Sequence, residues 1–567
     1  MSSMTVALTV SNTEGSDAAA LLLRRIERFA RQTCVSRIIL VHAGARPDIA
    51  VAGEVATKLH FIQSATWFSG ATLSNILEAA DTDTVLIVLT GAEVEIGSSG
   101  LERFREICEC SGAGLVYSDY EELAGGEAVE RRLIDYQPGS LRDWFNFGGM
   151  VLISKRAAER ALNKYGRLEP QQRWGGAYDL RLKLSADHPI VHIPETLYTV
   201  RAGAPHVATF ASLLRGTPPA GNGPVNRDYQ LEMESSLTAH LRRVGAFIEP
   251  DNFTPPPPPP AGFPTTASVV IPVRNREKTI AAAVESALGQ HTTFDYNVIV
   301  VDHHSTDGTT DILRRLSSRH KQIVHLFPTR ANISIGGLWN TAVYSPACGL
   351  HAVQLDSDDV YAGPHALERM VAGFYEPGGA RESAGTADAP PLHGMVIGSY
   401  VLVDYDLNKL PHGAADYREW PRDNGRNDVL RLDGLGAPRA YYVPVLRRFG
   451  FPDVSYGEDY AVCLRISREY SLGRIFEPLY YARQWEDNSE RTLPLSSTNR
   501  LRLNDLLFEG TTDQTALLDR VSPALSKLLL NTRNRYEAYK DWLRTVELQA
   551  RITRCRQLNT QPRAFPK

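Results

Sequence analysis

Six consecutive prolines, Pro255 to Pro260, lie near the middle of this 567-residue chain. Residues without a backbone N–H can complete neither a helix nor a central strand, so the run takes extended polyproline geometry and divides the chain. At about 3.1 Å per residue the six span roughly 19 Å, which suits a spacer between two folded bodies. The sequence therefore predicts one body over residues 1–250, a Pro-rich linker over 251–266, a second body over 267–496 and a helical extension over 497–567. A composition 43% hydrophobic and 22% charged allows each body a core. The net charge of −4 supplies no field for a polyanion, so nucleic acid is not an expected partner. Six cysteines without a CxxC pair, an N-terminus unlike a leader, and no apolar run of about 18 residues fit a cytoplasmic protein with no transmembrane segment.

After the prolines, Ser268 to Val273 reads as a buried strand, Lys278 to Leu288 as a helix and Asn297 to Val301 as a second strand. The rhythm repeats through a helix around Arg314, a strand at Ile323 to Phe327, a helix at Leu338 to Tyr344 and a strand at Ala352 to Leu355. Such alternation predicts an α/β, Rossmann-like sheet with ligands at the carboxyl ends of its strands. Strands at Val6 to Val10, Arg37 to Val41 and Val85 to Leu89 show the same rhythm before the prolines. Setting Gly457–Arg483 over Gly175–Arg201, at an offset of 282, aligns 27 positions with nine identities. Gly336 over Gly70 and Leu355 over Leu89 share an offset of 266. Two copies of one domain are expected.

Carboxylates sit at the strand ends. Asp356 and Asp358 leave an apolar strand in LDSDD, and hard oxygens so spaced suit Mg²⁺ or Mn²⁺ shared with phosphate, although such clusters are also ordinary solvated turns. Glu458 and Asp459 open a helical pattern at Tyr460 to Tyr470, where they either cap the first turn or supply a general base. Asp302 ends a strand and stands where a nucleotide docks in such sheets, or simply closes a strand-to-helix turn.

Taken in order, IPVRNRE at Ile271–Glu277, VVDHHSTDGT at Val300–Thr309, GGLWNTA at Gly336–Ala342, LDSDD at Leu355–Asp359 and GEDYAVCLR at Gly457–Arg465 resemble glycosyltransferase family 2, inverting enzymes of GT-A fold. The resemblance covers about Ser268 to Ser489. It implies two GT-A domains in tandem joined by the polyproline linker, with a donor site that includes Pro272, Asn275, Glu277, Asp302, Gly336, Asn340 and Asp356. It also implies that Asp356 and Asp358 hold the divalent metal, Mn²⁺ or Mg²⁺, and that Asp459 is the catalytic base with Glu458 orienting the acceptor. The chain departs from the family in having Trp339 before Asn340, and in having Trp485 near the place of the family's late His.

The implied function is metal-dependent inverting transfer from a nucleoside diphosphate sugar, by default a UDP-sugar, to a glycan, lipid-linked or protein acceptor. The first copy has Leu89 to Glu93 in place of LDSDD and Gly175-Gly176-Ala177 in place of Gly457-Glu458-Asp459, so it is expected to be non-catalytic. Asp119, Asp135, Asp143 and Asp179 are its own acids, read as turns and caps before a displaced site. Two other readings stand: a sugar-nucleotide-binding scaffold without catalysis, and a bifunctional polymerase with two sites. The extension carries Arg533, Arg535, Lys540, Arg544, Arg551, Arg554 and Arg556, expected on a solvated helix face, with peripheral membrane docking as the sharper reading.

Overall fold

A computed structural model describes residues 3–10, 16–201, 224–376, 390–416, 425–485 and 541–550, apart from positions 48, 50, 52, 65, 90, 125, 144, 251, 433–434 and 455–456. The chain forms two units, Met1–Phe247 with Ser522–Lys567, and Ile248–Val521.

In the second unit the strands are β10 (Ala267–Val273), β11 (Tyr296–Asp302), β12 (Ile323–Leu326), β13 (His351–Gln354), β14 (Val360–Tyr361), β15 (Met395–Val403), β16 (Lys409–Ala415), β17 (Arg439–Tyr442) and β18 (Leu472–Arg483); those of the first unit take β1 to β9 below. β10 and β11 are buried along their whole length, as strands covered on both faces must be, which explains their unbroken apolar runs. β10 pairs in parallel with β11, Val273 against Asp302, and with β13, Val270 against Gln354. Three strands therefore end on one edge, and Asp302 and Asp356 emerge there. The sheet runs β12-β11-β10-β13-β17-β15-β18-β14, with β16 paired to β15. Helix Ile280–Leu288 buries Ile280, Ala283, Val284 and Ala287, the i, i+3, i+4, i+7 face its sequence offers.

In the first unit β1 (Met4–Thr9), β2 (Val35–His42), β3 (Leu59–Gln63), β4 (Thr84–Val88), β5 (Glu93–Ile96), β6 (Leu115–Ala124), β7 (Glu127–Arg131), β8 (Met150–Ser154) and β9 (Ile190–Arg201) follow the same path, β3-β2-β1-β4-β8-β6-β9-β5 with β7 on β6. Two Rossmann-like α/β units are thus present, as the strand rhythm implied.

The proline segment differs from a bare spacer. It lies on the second unit: Thr254 N donates to Glu469 O at 2.8 Å, Tyr442 Oη donates to Pro257 O at 2.9 Å, and Pro256 is buried. Polyproline leaves its carbonyls without internal partners, and Tyr442 uses one. The end of the chain also differs from expectation. Residues 541–550 are helical and belong to the first unit, where Arg142 Nε donates to Asp541 Oδ1 at 2.6 Å and Arg544 Nη1 donates to the same oxygen at 3.0 Å. Arg544, expected on a solvated face, is fully buried because Asp541 neutralises it inside. The remaining basic residues of the tail lie outside the described residues. Among the described residues no helix is long and apolar enough to cross a membrane.

Candidate active site

The strand-end acids of the second unit are joined by two side chains between them. Gln354, the last residue of β13, turns its amide to Asp356, Nε2 donating to Oδ1 at 3.0 Å and to Oδ2 at 3.1 Å. Its Oε1 accepts from Arg439 Nη1 at 3.1 Å, and Arg439 Nη2 pairs with Asp459 Oδ2 at 2.6 Å. Asp356 and Asp459, about a hundred residues apart in sequence, are thus linked through one amide and one guanidinium. Asp356 N also donates to Tyr480 Oη at 2.9 Å. Asp359 Oδ1 accepts from Arg483 N at 2.7 Å, which pins the loop to the end of β18. Asp358 lies at the open side: its Oδ2 accepts from Trp485 Nε1 at 3.3 Å and faces Arg276 Nε at 3.7 Å.

Helix Glu458–Glu469 brings the second pair of acids. Glu458 is buried, whereas the Asp459 side chain is about a third exposed. Burial, then the neighbouring Asp459 charge, raises the Glu458 carboxyl well above its usual range, with Asp356 adding to the effect and Arg439 opposing it. Asp359 is raised likewise by burial and then by Asp356 and Asp358. Asp356 rises through burial and Asp358, against the pull of Gln354 and Arg439. In all three, burial is the leading cause and a neighbouring carboxylate adds to it. Among the described residues no group of three or more His, Cys, Asp or Glu side chains can by itself hold a metal ion. The hard oxygens of Asp356 and Asp358 nevertheless fit a divalent cation that completes its shell with water and phosphate, and such a cation would relieve the mutual repulsion.

The loops after β10 and β11 are laced together. Asn275, with a positive φ of 53°, donates its N–H to Ser305 Oγ at 3.0 Å and accepts from Thr306 N at 2.8 Å through Oδ1. Glu277 Oε2 accepts from Gly308 N at 3.0 Å, and Glu277 N donates to Asp307 Oδ2 at 3.1 Å. Pro272 is buried in β10 opposite Val301. Asp302 is fully buried, accepting from Ser305 N at 2.9 Å and from Thr310 Oγ1 at 2.6 Å, with His325 Nε2 at 3.5 Å. Burial opposes its ionisation, but His325, Thr310 and Ser305 outweigh it and hold the carboxyl below its usual range.

Gly336 and Asn340 stand next to the acids in a packing arrangement. A methyl group at Gly336 would strike the Pro452 carbonyl oxygen and lie 3.3 Å from Glu458 Cβ. Asn340 Nδ2 donates to Phe451 O at 2.8 Å and its Oδ1 accepts from Phe451 N at 3.0 Å, so its amide is spent on one backbone unit. Trp339 is buried and stacks on Phe451, with centroids 5.1 Å apart. Helix Ile335–Val343 therefore holds the 451–453 loop that leads into Glu458. Gln354, Arg439 and Tyr480 escaped the motif reading. The one available signal was a polar Gln inside an otherwise apolar strand, beside the first Asp.

The corresponding place in the first unit is filled. At the position of Glu458, a side chain on Gly176 would run into the backbone of Ser69 and Gly70. Just before it, Glu232 of helix Pro224–Val244 accepts from the N–H groups of Arg173 at 3.0 Å, Trp174 at 2.7 Å and Gly175 at 2.9 Å. Glu93 pairs with Arg28 at 3.0 Å. Asp179 binds Lys183 at 2.6 Å, while Asp119 and Asp135 both hold His192, at 2.8 and 2.9 Å.

Residues 268–381 match the model of glycosyl transferase family 2. An uncharacterised glycosyltransferase of Nostoc sp. is 35% identical over 108 residues, 19% of this chain and 32% of that protein. The poly(ribitol-phosphate) beta-glucosyltransferase of Bacillus spizizenii is 36% identical over 103 residues, 18% of this chain and 16% of its own length. The chain thus spans a third or less of the length of either relative. Among solved structures, S. aureus TarS 1-349 in complex with UDP-GlcNAc aligns at 17% identity and a TM-score of 0.32, covering 52% of this chain and 91% of that one.

Proposed function

From the premise that residues 268–381 form a glycosyl transferase family 2 domain, we propose that the second unit moves a sugar from a nucleoside diphosphate sugar to an acceptor hydroxyl, with inversion at the anomeric carbon. One observation carries this reading: Asp356, Asp358, Glu458 and Asp459 gather at the carboxyl edge of the parallel strands, the first and last joined through Gln354 and Arg439.

Asp459 is the general base, because it is the exposed member of the helix-start pair and Arg439 fixes one of its oxygens. It takes the proton of the acceptor hydroxyl as that oxygen attacks. Glu458, buried beside Asp459, orients the acceptor. Asp356 and Asp358 would hold Mn²⁺ or Mg²⁺, which would neutralise the departing diphosphate. Pro272, Asn275, Glu277 and Asp302 shape the nucleotide side of the site, the last three through the laced loops. Gly336 and Asn340 serve it by placing the loop before Glu458. A UDP-sugar is the first donor to test, and a glycan, lipid-linked sugar or protein is the acceptor class.

The first unit is non-catalytic in this reading, since the backbone of Ser69 and Gly70 leaves no room for a side chain at Gly176, where the second unit has Glu458. That weighs against a polymerase with two sites. The described cysteines are free thiols, which supports a reducing, cytoplasmic setting. The test is release of nucleoside diphosphate from a panel of sugar nucleotides by the intact chain, wild type and Asp459→Asn. Acceptor-dependent release lost in the variant supports the reading, and equal release by both refutes it.

A further inference from the structure

Two aromatic rings beside Asp358 have no part in the roles assigned above. Trp485 follows β18 and donates its indole N–H to Asp358 Oδ2 at 3.3 Å, the oxygen that Arg276 Nε also faces at 3.7 Å. Its ring packs on Tyr405, with centroids 5.5 Å apart. Tyr405 stands in the turn after β15 and donates its hydroxyl to the main-chain oxygen of Lys278 at 3.2 Å, across from the loop after β10. Basic side chains flank this tilted pair: Lys278 Nζ lies 5.8 Å from the Trp485 ring, and the Arg483 guanidinium 5.8 Å from that of Tyr405. Arg483 Nη1 also donates to Asp358 O at 2.8 Å.

An indole N–H only donates, so Trp485 cannot ligate a cation. It can fix the carboxylate that does, as outer-shell partners of metal ligands do. With Oδ2 of Asp358 engaged, Oδ1 is the oxygen offered to a cation. The hydroxyl of Tyr405 ties this arrangement to Lys278, so the Asp358 carboxylate and the loop after β10 are held by one pair of rings.

We propose that Trp485 is a positioning residue that orients Asp358 toward a cation-bound diphosphate, and that Tyr405 holds Trp485 in register with the donor loop. The proposal rests on the glycosyltransferase reading of this site. Its test uses the intact chain, wild type, Trp485→Phe, Tyr405→Phe and Asp358→Asn; Tyr405→Phe removes only the hydroxyl, and Trp485→Phe keeps an aromatic ring, smaller than the indole, while removing the N–H. The indole N–H resonance that disappears in Trp485→Phe is followed first, without ligand. Asp358→Asn should shift it, and an unshifted resonance overturns the proposal whatever the protein binds. Mn²⁺ binding in the presence of UDP, read by paramagnetic resonance, should then weaken about tenfold in Trp485→Phe and less in Tyr405→Phe, with melting temperatures close to wild type. Unchanged Mn²⁺ affinity in Trp485→Phe beside a binding-competent wild type overturns the proposal and leaves the glycosyltransferase reading intact. Failure of the wild type to bind any nucleoside diphosphate with Mn²⁺ or Mg²⁺ overturns the reading and the proposal with it.

Discussion

Asp459 and Asp358 belong to one cluster, and the proposed roles of base and cation ligand predict that their substitutions fail differently. Asp459→Asn removes the proton acceptor and keeps the shape: turnover should fall by about 10²- to 10⁴-fold while nucleotide binding holds. Calorimetry beside a steady-state assay checks the split. In the first unit, His192 sits buried between Asp119 and Asp135. Burial lowers its pKa, but hydrogen bonds to the two carboxylates prevail and raise it above the ordinary value near 6.5. A raised folded-state value means that this stabilisation is full below about pH 6.5 and is lost as pH rises through the folded pKa. The denaturant midpoints of wild type and His192→Gln should therefore differ most near pH 6 and converge at alkaline pH. At this scale the sequence showed the acids, which occur in short motifs, and missed Gln354, Arg439 and Tyr480. Those three act across long sequence separations, and only folding brings them together.

Elements were more legible than their contacts. Continuous apolar runs marked β10, β11 and β13 within a residue or two, because strands buried on both faces admit little else. The sequence offset sets Gly336 over Gly70, and both lie close to backbone: a methyl group at Gly70 would strike the Glu169 carbonyl oxygen, as one at Gly336 would strike that of Pro452. Each helix start is pressed against a loop, the one before helix Gly176–Asp187 in the first unit and the one before helix Glu458–Glu469 in the second. Gly336→Ala should push helix Ile335–Val343 off that loop, costing about 1–3 kcal/mol by overpacking and displacing Glu458. Thermal unfolding and turnover should both suffer, whereas an alanine at half-buried Gly363, whose methyl group would meet nothing, should leave both unchanged. What the pattern could not show was Glu232. A carboxylate on a helix surface is ordinary, and its capture by three backbone N–H groups depends on where helix Pro224–Val244 returns.

For the whole molecule, the chain divides between Phe247 and Ile248, and the prolines lie with the second unit. Residues 541–550, at the far end of the chain, belong to the first unit. Asp541 there is the shared partner of Arg142 and Arg544, with all three side chains almost fully buried. Asp541→Ala leaves two guanidinium groups without it in a dry interior, and should destabilise the first unit by about 3–5 kcal/mol. Differential calorimetry should show that loss while nucleotide binding by the second unit persists. In the proposed reading the second unit is a nucleotide-sugar-dependent glycosyltransferase. Its most direct test is calorimetric titration of the intact chain with UDP, GDP, dTDP and CMP, with and without Mn²⁺, in parallel with Asp358→Ala. Metal-dependent binding of one nucleotide, absent from the variant, is the predicted result; no binding of any nucleotide, or equal binding by the variant, would contradict the account.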